Sequence, residues 1–269
     1  MTTLQILVLA IVQGLTEFLP ISSSGHLILT PALADWPDQG LGFDLAVHVG
    51  TLLAVVVYFR QDIRSLASAW WKSLRGSPSA DSRLAWYVVL GTVPAGLVGL
   101  LFMDFIEEWA RSVAIIATTT ILFGLLLGLA DRMAGRLDLT NMRWGGALFV
   151  GVAQALALVP GTSRSGITIT AGLFLGLSRK AAARFSFLLA IPITALAASA
   201  KLFTMVREDV PVDWVALLSG TVFSAITAFI AIHFFLKWLD QFGLWPYVWY
   251  RLALGTVLLV LLYSGFFGS

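Results

Sequence analysis

The chain contains no cysteine, which removes disulfides, thiolate nucleophiles and Cys-ligated zinc from consideration. Charge is scarce as well: 12% of the 269 residues are Asp, Glu, Lys or Arg, about half the share of a soluble domain. Histidine occurs only at 26, 48 and 233, far apart and without metal-ligand spacing. The net charge is only +2. The excess Lys and Arg lie in loops, so they read as topology and not as a nucleic-acid surface. Weakly alternating segments of about ten residues, the mark of a closed membrane barrel, are missing. So is a basic n-region of a cleavable leader, because the first charge is Glu17.

Apolar residues dominate, at 58% of the chain. The expected fold is all-α and polytopic in a membrane. Six stretches, roughly 43–59, 85–103, 112–130, 185–203, 214–236 and 247–267, are long enough for a core that needs about 20 residues to cross. The ten Trp fall in loops or near the ends of these stretches, as an aromatic belt requires.

Two further regions, 4–29 and 145–178, are apolar at both ends and broken in the middle by Pro, Gly and Ser. Proline removes a backbone donor and disfavours continuous helix. Each region therefore reads as a re-entrant hairpin of two short helices, tolerated in a membrane only where buried in protein or lining a wet cavity. Basic loops 60–84 and 131–144, with Arg179, Lys180 and Arg184, alternate with acidic stretches at 104–111 and 207–213. The basic side is expected to be cytoplasmic. Threading the chain through these limits gives one membrane domain over 1–269 with about ten helices. Repeat one (1–130) and repeat two (145–269) each hold a hairpin plus three spans. Three is odd, so the second repeat is inverted relative to the first, and the first hairpin enters from outside.

The broken loops resemble each other. At an offset of 141 residues, Gln13 matches Gln154, Leu15 matches Leu156, and Ser-x-Ser-Gly at 22–25 matches that at 163–166. Each loop carries ionisable groups at membrane depth, which by default marks a function. A helix N-terminus after a Ser- and Gly-rich turn offers N–H donors and partial positive charge to an anion. Arg164 adds a planar fork of donors suited to phosphate. Glu17, Ser23 and His26 are a candidate base, nucleophile and acid, since a serine hydroxyl needs a neighbouring base. Each has a structural alternative: an ion pair between hairpins for Glu17 and Arg164, a packed histidine for His26, an interhairpin tie for Gln13 and Gln154. His48, Lys201 and His233 read as interfacial or packing residues. Arg251 reads as snorkelling from the last span, and Asp44 could face the site.

Gln13-x-x-x-Glu17, Ser22-Ser23-Ser24-Gly25-His26 and Pro160-Gly161-x-Ser163-Arg164-Ser165-x-x-Thr168 resemble the signature boxes of the bacterial undecaprenyl-diphosphate phosphatase, or bacitracin-resistance, family. The likeness extends to the Phe185–Pro192 run. It implies hydrolysis of a long-chain prenyl diphosphate, recycling of the lipid carrier for cell-wall synthesis, and residence in the bacterial cytoplasmic membrane with the site open to the outer side. Carried over by residue, it implies Glu17, Ser23, His26 and Arg164 as the catalytic group. Gln13, Ser22, Ser24, Gly25, Gly161, Ser163, Ser165, Gly166 and Thr168 would be supporting donors or substrate-binding positions. Many members have Glu where this chain has Gln13. Ser23 is the favoured attacking group, with a phosphohistidine at His26 the competing assignment. The resemblance also implies Mg²⁺ or Ca²⁺, held loosely by Glu17 and shared with substrate phosphates, and no organic cofactor. A bilayer is the expected surrounding and no nucleic acid is expected. The oligomeric state is left open, a dimer being allowed. The rival reading is a transporter or flippase for a phosphorylated lipid or small anion, because inverted repeats with broken hairpins are a transporter plan. A scaffold is weaker still, having no need of charge at the midplane.

Overall fold

The computed structural model describes residues 1–110, 112–208 and 212–265. Among them the helices run in the order α1 (Thr3–Thr16), α2 (Ser23–Ala34), α3 (Gly40–Tyr58), α4 (Arg60–Ser73), α5 (Ala80–Ala110), α6 (Val113–Arg132), α7 (Trp144–Ala155), α8 (Arg164–Phe174), α9 (Arg179–Arg207), α10 (Trp214–Phe242) and α11 (Trp245–Tyr263). No strand is present among the described residues. Six helices are long and apolar enough to cross a membrane: α3, α5, α6, α9, α10 and α11. These are the six expected spans, with ends moved by a few residues. The added helix is α4, in what the sequence reads as a loop. Its Arg60, Arg64 and Lys72 alternate with Ile63, Leu66 and Trp70, and none of it is buried, the composition of an interfacial helix.

Both broken regions are helix–break–helix units. In the first, the chain between α1 and α2 turns at Pro20. In the second, α7 ends in a 3-10 turn (Leu156–Leu158) before Pro160. The residues that open the second helix of each unit have the same unusual backbone: Ser22 has φ +73° and Ser163 has φ +71°. A non-glycine residue in that region costs on the order of 1–3 kcal/mol. Its recurrence at the offset of 141 residues means that each repeat keeps the same strained entry into its pocket helix.

The helix packing has matching pairs. Helix α1 packs on α10 as α7 packs on α5, and α3 packs on α10 as α9 packs on α5. The pairs α3–α9 and α6–α11 join like elements of the two halves. Small residues permit the closest crossings, as membrane helix packing favours. A Cβ on Gly14 would lie 2.7 Å from the Ser224 carbonyl oxygen, and one on Gly151 would lie 2.6 Å from that of Gly91.

One end of the bundle is laced by ion pairs. Arg179 pairs with the buried Asp131 at 2.6 Å, Lys180 with Asp240, and Arg184 with Asp62. This gathers the ends of α6 and α10 and the starts of α4 and α9 on one face. The start of α3 and the end of α9 lie at the opposite end, where Lys201 Nζ stands 3.8 Å from Asp44 Oδ2.

Candidate active site

The two breaks meet inside the bundle. Gly161 N–H donates to Ser22 Oγ at 3.2 Å, and Ser165 Oγ donates to the Leu19 carbonyl at 2.9 Å. Gly161 is the residue that lets them touch. Its φ is +88°, and a Cβ there would fall on Thr119 Oγ1 and 2.5 Å from the Ile116 carbonyl.

Four expected residues come together on one carboxylate. Glu17 ends α1 one turn after Gln13, so both lie on the same helix face. Its Oε2 accepts from Gln13 Nε2 at 3.0 Å and from Ser23 Oγ at 2.5 Å. Its Oε1 accepts from Arg164 at 3.1 Å. Ser23 and Arg164 are each the first residue of a pocket helix and match each other at the repeat offset. Equivalent positions in the two halves thus supply a hydroxyl and a cation to the same acid.

Arg164 is held from three sides. Besides Glu17 it donates to the Ser186 carbonyl at 3.2 Å, and its guanidinium carbon sits 5.6 Å from the centre of the Phe18 ring. Two of its five N–H groups are engaged by these hydrogen bonds, leaving the rest of the fork for a ligand. The Ser22 side chain does not cap α2, whereas Ser163 caps α8 through Gly166 N–H. The first N–H groups of α2 are therefore the freer donors for an anion.

His26 takes part with both ring nitrogens engaged. Nδ1 lies 2.7 Å from the Ser22 carbonyl, which can only accept, so Nδ1 carries the proton. Nε2 lies 2.6 Å from Tyr250 Oη, and the two rings stack at 5.7 Å.

Several expected donors to substrate are occupied by the protein instead. Ser22 accepts from Gly161, and the Ser163 and Ser165 hydroxyls lie 3.2 Å apart. Thr168, 1% exposed, bonds the Arg164 carbonyl and Ser186 Oγ, both at 2.7 Å. These groups shape the loops. Ser24 remains exposed, while Gly25 and Gly166 are buried in the helix starts. Gly166 leaves room for Arg251, whose Nη1 would lie 3.0 Å from a Cβ there. Gln13 and Gln154 do not tie the hairpins together: Gln154 donates to the Gly91 carbonyl at 3.2 Å, on α5.

Arg251 corrects the sequence reading most sharply. It does not snorkel; it is 0% exposed. It donates to the carbonyls of Pro20 (3.2 Å), Gly161 (2.8 Å), Thr162 (3.0 Å), Thr120 (3.0 Å) and Thr119 (3.4 Å). It thus grips both breaks and α6 at once. It forms no ion pair among the described residues, so its charge is balanced only by dipoles. Glu17 and Arg164 cancel each other, and the uncompensated Arg251 leaves the site net positive, which favours an anion.

His48 and Lys201 are also not packing residues. With Asp44, Gln39 and Asp38 they line a cavity of about 390 Å³ whose inner wall includes Ser24 and Pro160. Asp44 faces this cavity, as the sequence allowed. Nothing in the sequence could have placed His48 and Lys201 there, since they lie on different helices.

A resident metal does not fit this donor set. Among the described residues no three His, Asp or Glu side chains group to hold an ion, and both oxygens of Glu17 are already engaged. A divalent ion would draw most of its ligands from substrate phosphates.

The family model described as bacitracin resistance protein BacA matches residues 6–257 of the chain. A protein of Stutzerimonas stutzeri named undecaprenyl-diphosphatase 2 is 58% identical, with 98% of this chain and 100% of that protein aligned. Undecaprenyl-diphosphatases of Idiomarina loihiensis and Marinobacter nauticus are each 55% identical, with 98% and 97% of this chain aligned and 100% of each relative.

Proposed function

The chain belongs to the bacitracin resistance protein BacA family, and on that premise we propose the reaction its site performs. It is an integral-membrane phosphatase that hydrolyses undecaprenyl diphosphate to undecaprenyl phosphate and inorganic phosphate. The lipid carrier is thereby returned to cell-wall synthesis and bacitracin is deprived of its diphosphate. One observation carries the reading: Ser23 Oγ lies 2.5 Å from Glu17 Oε2, while Arg164 holds the other oxygen of the same carboxylate. A flippase needs the cation but not a hydroxyl bonded to a base.

Ser23 attacks the terminal phosphorus as Glu17 takes its proton. Arg164 and the N–H groups at the start of α2 stabilise the charge on the phosphoryl oxygens, the main demand of phosphoryl transfer. Tyr250 and the Ser22 carbonyl occupy both nitrogens of His26, which favours Ser23 as the nucleophile. His26 thus links Tyr250 to the start of α2, with Nδ1–H on the Ser22 carbonyl and Nε2 accepting from the Tyr250 hydroxyl. An apolar cavity of about 420 Å³, lined by Ile115, Phe123, Leu156 and Val159 and reaching Thr162 of the second break, gives the prenyl chain a path that stays in hydrocarbon.

The test is phosphate release from a long-chain prenyl diphosphate by the purified protein in detergent. Wild type releases phosphate, and Ser23→Ala lowers turnover by about a thousandfold or more. Acid-quenched wild type carries labelled phosphate on Ser23; label on His26 instead reassigns the nucleophile, and absence of release from wild type rejects the enzyme reading.

The site opens to the extracytoplasmic side of the bacterial cytoplasmic membrane. The support is the charge asymmetry: the basic loops gather at the end opposite the cavity of Asp44 and Lys201, and basic loops stay in the cytoplasm. Ser24→Cys in otherwise wild-type protein will react with an impermeant maleimide added outside spheroplasts; labelling only after the membrane is opened reverses the orientation.

A further inference from the structure

The reaction needs two proton transfers, and the residues assigned so far provide for one. Glu17 takes the proton of Ser23 during attack and must hold it until Ser23 leaves the phosphorus. The water that displaces Ser23 needs another acceptor. In this chain position 13 is Gln, so no second carboxylate adjoins Glu17 in the first break. His26 is spent on Ser22 and Tyr250.

His48 is a titratable group that this scheme leaves unused. It lies on α3, one turn after Asp44, on the wall of the cavity that also reaches Ser24 and Pro160. Its Nδ1 is 2.7 Å from the Asp44 backbone carbonyl. A carbonyl accepts only, so Nδ1 bears the hydrogen and the neutral ring presents its lone pair at Nε2. That atom has no hydrogen-bond partner among the described residues. The corresponding run of the second repeat, Phe185 to Ala190, is wholly buried and carries no ionisable residue.

We propose that His48 is the general base that activates water in the second half of the reaction. This rests on the diphosphatase reading above. In the first step the bond from Ser23 Oγ to the terminal phosphorus forms, the bond from that phosphorus to the bridging oxygen breaks, and the lipid phosphate leaves with the electron pair. The Ser23 proton passes to Glu17. In the second step water attacks the phosphoserine and gives one proton to His48 Nε2. The bond from phosphorus to Ser23 Oγ breaks, Ser23 recovers its proton from Glu17, and inorganic phosphate departs. His48 then loses its proton to solvent through the cavity. The charged groups that line the same cavity are Asp44 on its own helix, Lys201 on α9 and Asp38.

The test separates the two steps. His48→Asn keeps a donor near the Nδ1 position for the Asp44 carbonyl and removes the base. With prenyl diphosphate labelled in the terminal phosphate, the variant should still release about one equivalent of prenyl phosphate in a burst. Steady-state turnover should fall by about 10²–10⁴-fold, labelled enzyme should accumulate, and KM should change little. Wild-type kcat should fall on the acid side as the base is protonated, and the variant should lose that limb. Turnover within threefold of wild type, or loss of burst and turnover together in a protein that still melts as wild type does, overturns the proposal. A wild type that releases no phosphate overturns the diphosphatase reading itself, which is a different result from either.

Discussion

Glu17→Gln is expected to lower turnover by at least about a thousandfold, equivalent to about 4 kcal/mol in the transition state. The variant removes the acceptor for the Ser23 proton and the negative charge that holds Arg164. Those losses act differently. Without a carboxylate at 17, the 2.5 Å contact from Ser23 Oγ becomes an ordinary hydrogen bond to an amide that cannot take the proton. Arg164 keeps its contacts to the Ser186 carbonyl and the Phe18 face, so it stays near its place with an unneutralised charge. A more positive pocket holds a diphosphate at least as well as before. The predicted signature is therefore a large fall in kcat with KM unchanged or lower. Steady-state kinetics on a prenyl diphosphate, with a melting curve as the folding control, read it directly. A variant within tenfold of wild-type kcat would remove Glu17 from the proton path and leave it a structural ion pair.

Arg251→Leu is expected to damage both stability and activity more than any other substitution outside the catalytic group. Five carbonyl oxygens lose a donor at once; those of Thr119 and Thr120 keep their helical N–H donors within α6 and that of Gly161 keeps the Thr120 hydroxyl, so the cost of about 1–3 kcal/mol for a buried group left unsatisfied falls mainly on Pro20 and Thr162. Three of those carbonyls belong to Pro20, Gly161 and Thr162, in the strained segments that carry Ser22 and Ser163 at positive φ. The guanidinium turns these carbonyls inward and so helps to hold the breaks in shape. Turnover should fall more than about a hundredfold and the melting temperature should drop by several degrees. Arg251→Lys separates charge from geometry: it keeps the charge but cannot span five acceptors on three chain segments. Its activity should lie between wild type and Arg251→Leu. Equality with wild type would mean that charge alone matters there, and an unchanged Arg251→Leu would show that the breaks hold themselves.

The composition and the length of the apolar stretches settled the class of fold before any coordinates. A charge-poor chain with six stretches of spanning length has few alternatives in a membrane, where each backbone polar group must be satisfied within its own helix. The two breaks were equally legible, because Pro20 and Pro160 interrupt apolar runs at matching places. The boxes around Glu17, Ser23 and Arg164 were legible too, since charge at membrane depth stands out in so apolar a chain, and these three residues do meet in the fold.

What the chain could not convey is direction around a helix and partnership across the bundle. A residue's position along a span gives its depth but not the neighbour it faces. At the depth of Arg251 a side chain reaching for the interface and one turned inward look the same in sequence; packing of α11 on α6 chose the second. His48 and Lys201 are far apart in the chain and gained a shared cavity only because α3 packs on α9. The matched glutamines promised a symmetric tie, yet each bonds elsewhere, because the helices beside them differ. The sequence determined the membrane fold, the two breaks and the polar residues they hold. Tertiary packing decided which buried charge braces the breaks and which histidine faces water, because both depend on the rotation of one helix against another, and no local pattern encodes that rotation.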